Sequence, residues 1–349
     1  MSNVHILKCP ACGNALEYSP GQKGLQCPYC SYTVSPEEMA AFVQQSESQM
    51  GEQDNTSSHS GLRAYHCQNC GAEIVTGATT AATRCYYCHS PVVLQDRVSD
   101  AFRPDAVIPF AKSREEALNI FREYVGKKRF LDRNFLTDDQ LEVFSGVYYP
   151  YWIGDVEGNV DFSGEGTRVH TRTFGDTIET VTRFFSVQRS AHFNFPSLQR
   201  KALQAQNKQL SDGIQPYRLE WAVPYSDAYL SGFLAERRDI EKEGPQQEMV
   251  REAQGYASNM IEQPGTFQAL RGSSSFSGVK TSLRYILLPV WMLTYKGRKP
   301  DKPYYFLMNG QTGTICGRLP LDRKKLGLVS GICGALVAAL LCLGGAFIW

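Results

Sequence analysis

Eight cysteines stand in four CxxC units within the first 88 residues: Cys9, Cys12, Cys27 and Cys30, then Cys67, Cys70, Cys85 and Cys88. The second set repeats the first at an offset of 58 residues in every position, and fourteen residues separate the inner pair each time. A redox CxxC works singly at the start of a helix, so it gives no reason for a second pair at fixed distance. A tetrahedral metal ion does, because each CxxC turn offers two thiolates and a short hairpin brings two turns together. The spacing therefore predicts two four-cysteine sites holding two Zn2+ ions, although spacing alone does not separate zinc from iron. Gly13 and Gly71 follow the second cysteine of the first turn in each set, where a positive φ lets amide N–H groups face the sulfurs. A ribbon of about 25 residues buries too little to fold alone, so the metal supplies folding energy on the order of 10 kcal/mol. Four cysteine ligands leave no open position for a catalytic water, which argues against metal-dependent hydrolysis.

The chain has 349 residues, 42% of them hydrophobic, and a formal net charge of +1, which is the composition of a globular protein of two or three domains. Charge is informative only by segment. Residues 1–98 carry five basic side chains (Lys8, Lys23, Arg63, Arg84, Arg97) against eight acidic ones, a net of −3. Phosphate binding needs a cationic stripe, so the ribbons are expected to dock protein rather than nucleic acid, even though Tyr29, Tyr32, Tyr86 and Tyr87 near the knuckles could stack on bases. The opening MSNVHILKCP has no apolar run after a basic start and so does not read as a secretory signal; a reducing cytosol suits the thiolates.

The expected organisation is multidomain: zinc ribbon 1 over 1–35, a flexible linker over 36–64, zinc ribbon 2 over 65–98, an α+β domain with an antiparallel sheet over 99–320, and a basic flank with one transmembrane helix over 321–349. VIPF at Val107 predicts a short buried strand. Ser113 and Glu116 predict a capping box for a helix to about Lys128 with Ala117, Leu118, Phe121 and Val125 inward. Alternating residues toward Phe174 and Val187, with Gly175-Asp176 between, predict a hairpin. Asp227 is expected to cap a helix carrying Leu230, Phe233, Leu234 and Ile240, and Pro245 to open another with Met249, Val250, Ala253 and Met260. Strands follow over Tyr285–Tyr295 and Tyr304–Arg318. VIPF, a helix and PYW are echoed by AVPY, helices and PVW, which suggests a duplicated module.

Other candidate sites are weaker. GSSSFSGVKT from Gly272 fails as a phosphate loop, because five residues separate its glycines and Val279 precedes Lys280; it reads as a serine-rich loop. Asp155, Glu157, Asn159 and Asp161 alternate along a strand but lack the glycine-centred loop of a calcium site. Arg168, His170 and Arg172 project together from the following strand, where they could meet phosphate or lipid head groups but read more simply as a wet outer face. No catalytic or cofactor-binding set is evident, and the chain does not read as an enzyme.

Leu326–Trp349 has no charged side chain, and twenty-four helical residues would span about 36 Å against a hydrocarbon core of about 30 Å. Arg318, Arg323, Lys324 and Lys325 precede it, so the expected location is a single-pass cell-membrane protein with its N-terminal domains cytoplasmic. Gly327, Gly331, Ala335 and Ala339 would form a small-residue stripe through which the helix could self-associate as a homo-oligomer.

The units CPAC…CPYC and CQNC…CYYC, together with VIPF, PYW, PVW and the closing LPLDRKK, resemble a bacterial family of zinc-ribbon membrane proteins with transcription-factor-IIB-type (TFIIB-type) ribbons, often labelled as related to the replication-restart helicase. The chain has no nucleotide-binding loop, so only the metal module is shared with that helicase. The resemblance implies partners of the flotillin-like and phage-shock types. Together these readings describe a membrane-anchored, cytosol-facing adaptor that recruits proteins in membrane organisation or envelope stress; the alternative is a membrane-tethered nucleic-acid-binding protein.

Overall fold

The computed structural model describes residues 4–48, 63–85, 88–98, 102–128, 130–131, 144–295, 304–319 and 322–348. The first cysteine set lies among β1 (Val4–His5), β2 (Glu17–Ser19), β3 (Gly24–Gln26) and β4 (Thr33–Val34), followed by α1 (Pro36–Ser48). The second lies among β5 (Arg63–His66), β6 (Glu73–Thr76), β7 (Thr80–Arg84) and β8 (Pro91–Leu94), followed by α2 (Gln95–Val98). Then come β9 (Ala106–Val107), α3 (Arg114–Gly126), β10 (Ser145–Phe174), β11 (Thr177–Lys201), α4 (Lys208–Gly213), β12 (Val223–Pro224), β13 (Leu234–Glu236), α5 (Glu243–Ile261), β14 (Ala269–Tyr295), β15 (Tyr304–Asn309), β16 (Ile315–Gly317) and α6 (Arg323–Ile348).

The expected beads-and-domain architecture is corrected here. One eleven-stranded mixed sheet dominates the molecule, and β1, β7 and β8 from the cysteine segments are members of it. Val4 pairs with Leu94, and Ala82 pairs with Ala235 of β13. Parallel pairs also occur, between β10 and β13 and between β9 and β14, so the sheet is not antiparallel throughout. The physical reason is burial: ribbons too small for their own core share one, and Leu7, Leu16, Tyr18 and Leu25 pack in the same apolar cluster as Phe110, Tyr148 and Trp291. Pro36–Ser48 is a helix rather than linker, with Met39 and Val43 buried; Arg63 and Ala64 at the end of the supposed linker open β5, and 49–62 lie outside the described residues.

The capping box and the four inward residues of α3 are observed as the sequence predicts. So is the two-residue turn at Gly175-Asp176, where Gly175 has φ +58. Asp227, by contrast, begins only a three-residue turn capped by Ser226. Gly232 at φ +92 breaks the expected helix, and Leu234–Glu236 is claimed by strand pairing on both edges. The serine-rich stretch is not a loop: Gly272 to Lys280 belongs to β14, in register with Gly164 to Glu157 of β10. Gly164 and Gly272 face each other under the Phe162 ring, where a Cβ on either would meet backbone within 2.4 Å. The two echoed segments meet: Val223 of β12 pairs with Val107 of β9, and Tyr148 of β10 pairs with Pro289 of β14.

β10 holds 30 residues and β11 holds 25, paired from Tyr151 and Lys201 to Phe174 and Thr177, so this hairpin is about 80 Å long. α5 covers its proximal half, burying Met249, Ala253, Ala257 and Ile261 against it. Beyond Phe162 and Val187 the hairpin projects as an arm with mostly exposed side chains.

Helix α6 forms over the apolar C-terminal run, and its described side chains, 325–341, are all exposed. Among the described residues no helix is long and apolar enough to cross a membrane. The expectation of a transmembrane helix in a lipid bilayer, and with it the single-pass cell-membrane location, is corrected accordingly. Gly327, Gly331, Ala335 and Ala339 lie exposed on α6.

Candidate metal centres

Each cysteine set is built by a repeated backbone device. In the first, the amide N–H of Gly13 donates to the Cys9 carbonyl and that of Ser31 donates to the Cys27 carbonyl, at 2.8 and 3.0 Å. In the second, Gly71 donates to Cys67 and His89 to Cys85, at 2.8 and 2.9 Å. The residue closing each turn is left-handed: φ is +75 at Gly13 and Gly71, +60 at Ser31 and +56 at His89. The 58-residue repeat thus extends to the backbone, and two of its four left-handed positions are not glycine, so the sequence gives no sign of them.

These turns bring each set of four sulfurs within 4.8 Å of one another. Cys9 Sγ lies 3.6 Å from Cys30 Sγ, and Cys12 Sγ 3.5 Å from Cys27 Sγ. In the second set Cys67–Cys88 and Cys70–Cys85 are both at 3.7 Å. A tetrahedron with metal–sulfur bonds of about 2.3 Å has edges of about 3.8 Å, whereas a disulfide would need about 2.05 Å. Both groups are therefore shaped to hold a metal ion, with all four positions supplied by the chain. The first cysteine of each turn is buried, while Cys12, Cys30 and Cys70 are exposed and Cys88 is half-buried.

Crowding spreads the thiol acidities. Hydrogen bonding from the Cys30 and Tyr29 amides, the former larger, lowers Cys27 to about 7 despite burial. At Cys88 burial opposes ionisation, but Ser90 and Asn69 hydrogen bonds outweigh it and lower the thiol to about 6. At Cys12 the Asn14 amide favours the thiolate, yet desolvation and the sulfurs of Cys30, Cys27 and Cys9 together push it up to about 12. Cys70 is likewise pushed up to about 12, against the Ala72 amide, chiefly by Cys88. One thiolate per site forms readily and raises the cost of the next, as expected when four acids share one small volume.

The structure also joins residues that sequence reading does not connect. His5 Nδ1 lies 3.3 Å from Asp227 Oδ2, and His5 Nε2 lies 3.2 Å from Ser46 Oγ. The connectivity resembles a nucleophilic triad. However, the Ser46 hydroxyl donates to the Val43 carbonyl at 2.7 Å, so its proton is directed at its own helix rather than at the imidazole. Tyr225 occupies the other Asp227 oxygen at 2.8 Å. The cluster ties β1, α1 and the Asp227 turn together, and it acts as a buried staple.

The remaining candidates stay apart from these centres. Asp155, Glu157, Asn159 and Asp161 line one face of β10, where Asp155 accepts from the Ser197 amide at 2.8 Å and Asn159 bonds His192. Arg168, His170 and Arg172 lie farther along the same strand, near the arm tip. Tyr86 and Tyr87 lie outside the described residues. Beside ribbon 1 a cleft of about 480 Å³ opens toward the sheet, lined by Pro28, Arg84, Arg114 and Trp291 among others. Arg84 pairs with Glu17 at 2.8 Å across it. The buried Trp291 indole N–H has no acceptor among the described residues.

No protein-family model and no solved structure matches the chain. A Bacillus subtilis (strain 168) protein named "Uncharacterized protein YdjG" is 31% identical to it over 273 residues, which are 73% of this chain and 76% of that one. A likeness of that extent makes the chain a member of the same family as Bacillus subtilis YdjG.

Proposed function

We propose that the protein is a zinc-ribbon adaptor, with one Zn2+ ion stapling each four-cysteine group and the ribbon surface recruiting other proteins. Zinc suits a closed four-thiolate tetrahedron that needs no redox change. The observation that carries the docking role is Tyr29, which is 79% exposed on the Cys27–Cys30 knuckle beside the exposed Tyr32. Large aromatic side chains held out on a rigid turn are preferred contacts at protein interfaces. A cleft lined by Pro28, Arg84 and Arg114 lies against the same ribbon. The net charge of −3 over residues 1–98 weighs against a phosphate backbone as ligand. Flotillin-like and phage-shock-type proteins, implied by the resemblance of the ribbons, are the first partners to test.

The test is affinity purification of the intact protein beside a Tyr29→Ala variant, with metal analysis of both samples. The expected result is two zinc ions per chain in both and a protein partner retained at least tenfold better by the unsubstituted chain. Absence of bound zinc would remove the stapling role. Salt-dependent binding of DNA or RNA by the full chain, with no protein retained, would replace the adaptor with a nucleic-acid-binding protein.

A further inference from the structure

Strand β11 pairs with β10 along one edge and, among the described residues, with no strand along the other. A long free edge is a template for another strand, and proteins usually blunt it with proline, lysine or a bulge. Such devices occur only near the base of this arm, where Pro196 and Ser197, at φ +63, accompany a register shift opposite Gly154 and Val156. The outer stretch, TIETVTRFF over Thr177–Phe185, has no proline, lysine or register shift, and its two charges, Glu179 and Arg183, are of opposite sign. It instead exposes Ile178 at 68%, Val181 at 39% and Phe184 at 64%.

The hydrogen-bonding phase of that edge can be deduced twice. In a two-residue hairpin the closing pair, here Phe174 and Thr177, exchanges both backbone bonds, so Glu179, Val181 and Arg183 also point their backbone groups at β10. Independently, the Gln268 side chain takes both backbone groups of Val169 on the opposite edge, donating to its carbonyl at 3.1 Å and accepting from its N–H at 3.0 Å. Val169 stands opposite Thr182, so Thr182, and with it Ile178, Thr180 and Phe184, aim N–H and C=O groups outward from β11. Gln268 caps the β10 edge where β14 ends; among the described residues nothing caps the β11 edge.

We propose that two copies of the chain join edge to edge through Thr177–Phe185, antiparallel about a two-fold axis at Val181. That register sets Glu179 opposite Arg183 of the second copy and Ile178 opposite Phe184, twice each by symmetry. The outward groups of Thr180 and Thr182 then make the hydrogen-bonded pairs. Moving the axis to Glu179 or to Arg183 puts like charges face to face, which is destabilising, and moving it to Thr180 or Thr182 separates the opposite charges. Charge complementarity thus selects a second copy and one register over an arbitrary strand. The overlap ends where each hairpin turns, so a continuous sheet joins the two arms tip to tip.

In this register Val181 faces its own copy as a non-hydrogen-bonded pair, with Cα atoms about 4.5 Å apart, inside the range a disulfide accepts. The test uses the full chain with sedimentation and mild oxidation. A dimer is expected for the unsubstituted chain, weakened about tenfold by Arg183→Glu, which creates two like-charge contacts. Val181→Cys is expected to give an intermolecular disulfide absent from the oxidised unsubstituted chain. Thr177→Cys is expected to give none, since its Cα and that of its copy would be about 26 Å apart. Zinc content and circular dichroism unchanged by these surface substitutions establish that they fold. A monomer at micromolar concentration, a dimer indifferent to Arg183→Glu, or equal trapping at positions 177 and 181 would each overturn the proposal.

Discussion

Gly71 holds φ +75 with nothing within 4 Å of where a Cβ would stand, so its role is backbone conformation rather than close packing. Gly71→Ala is expected to destabilise the protein by about 1 kcal/mol through left-handed strain alone. Gly77→Ala, at ordinary φ with only Thr80 Oγ1 at 3.6 Å, is the control and should be near neutral; chemical denaturation of the three proteins measures both. Glu236 presents the opposite situation, a half-buried carboxyl whose Oε2 has no hydrogen-bond partner among the described residues and whose pKa is raised, chiefly by desolvation. A raised carboxyl pKa means the folded state favours the protonated form. Its penalty is therefore absent below the ordinary carboxylate value of 4.5 and grows as pH rises through the folded value. Glu236→Gln should raise the melting temperature at pH 8 and lose that advantage as pH falls toward 5. An advantage independent of pH would show that charge is not the cause. At this scale the sequence alone assigns Gly71, because a glycine directly after a CxxC unit marks the left-handed residue that closes the turn. It does not assign Glu236, because the burial of that carboxyl depends on distant chain.

Strands β1, β7 and β8 of the cysteine segments belong to the main sheet, while β2–β4 and β5–β6 form small sheets of their own, and that changes what metal loss should do. Cys85 is fully buried in a cluster with Tyr65, Ile74, Val92 and Leu94, and the flanking β7 and β8 lead directly into β13 and β10. If the four-cysteine groups hold the proposed ions, chelation is expected to lower the melting transition of the whole chain, with hydrogen-exchange protection falling in β10 as well as in β7. Cys85→Ser should do the same while leaving one ion bound at Cys9, Cys12, Cys27 and Cys30. Unchanged protection in β10 after metal removal would mean that the ribbons unfold independently. The helices divide along similar lines. α3 is legible in the sequence because Ser113, Glu116 and a 3.6-residue apolar stripe are local signals. The stretch Leu230 to Ile240 carries apolar residues at helical spacing too, yet Leu234–Glu236 pairs with β7 and β10 instead, and only the neighbouring strands reveal that competition.

Across the whole molecule, the arm formed by β10 and β11 is separable from what holds the fold together, since its outer side chains are mostly exposed while burial concentrates at Val156, Val160 and Phe162. Excising 169–174 and 177–182 while keeping the Gly175-Asp176 turn preserves the hydrogen-bonding phase, with Arg168 and Arg183 as the new closing pair. The shortened chain is expected to keep the metal content of the full chain and its melting temperature within a few degrees, and to lose the proposed dimerisation. A large fall in melting temperature would instead assign the arm a structural role. By itself the sequence determined the two four-cysteine groups, the turn at Gly175-Asp176 and the capped helix after Ser113, because thiol spacing, turn chemistry and helix capping each act over a few residues or a short hairpin. Only the tertiary structure decided that strands beside both ribbons enter one mixed sheet, that a serine-rich stretch is paired strand, that His5, Ser46 and Asp227 meet, and that no described helix is long and apolar enough to cross a membrane. Those outcomes rest on which distant surfaces bury one another, and burial between segments far apart in the chain leaves no fixed spacing in the sequence to read.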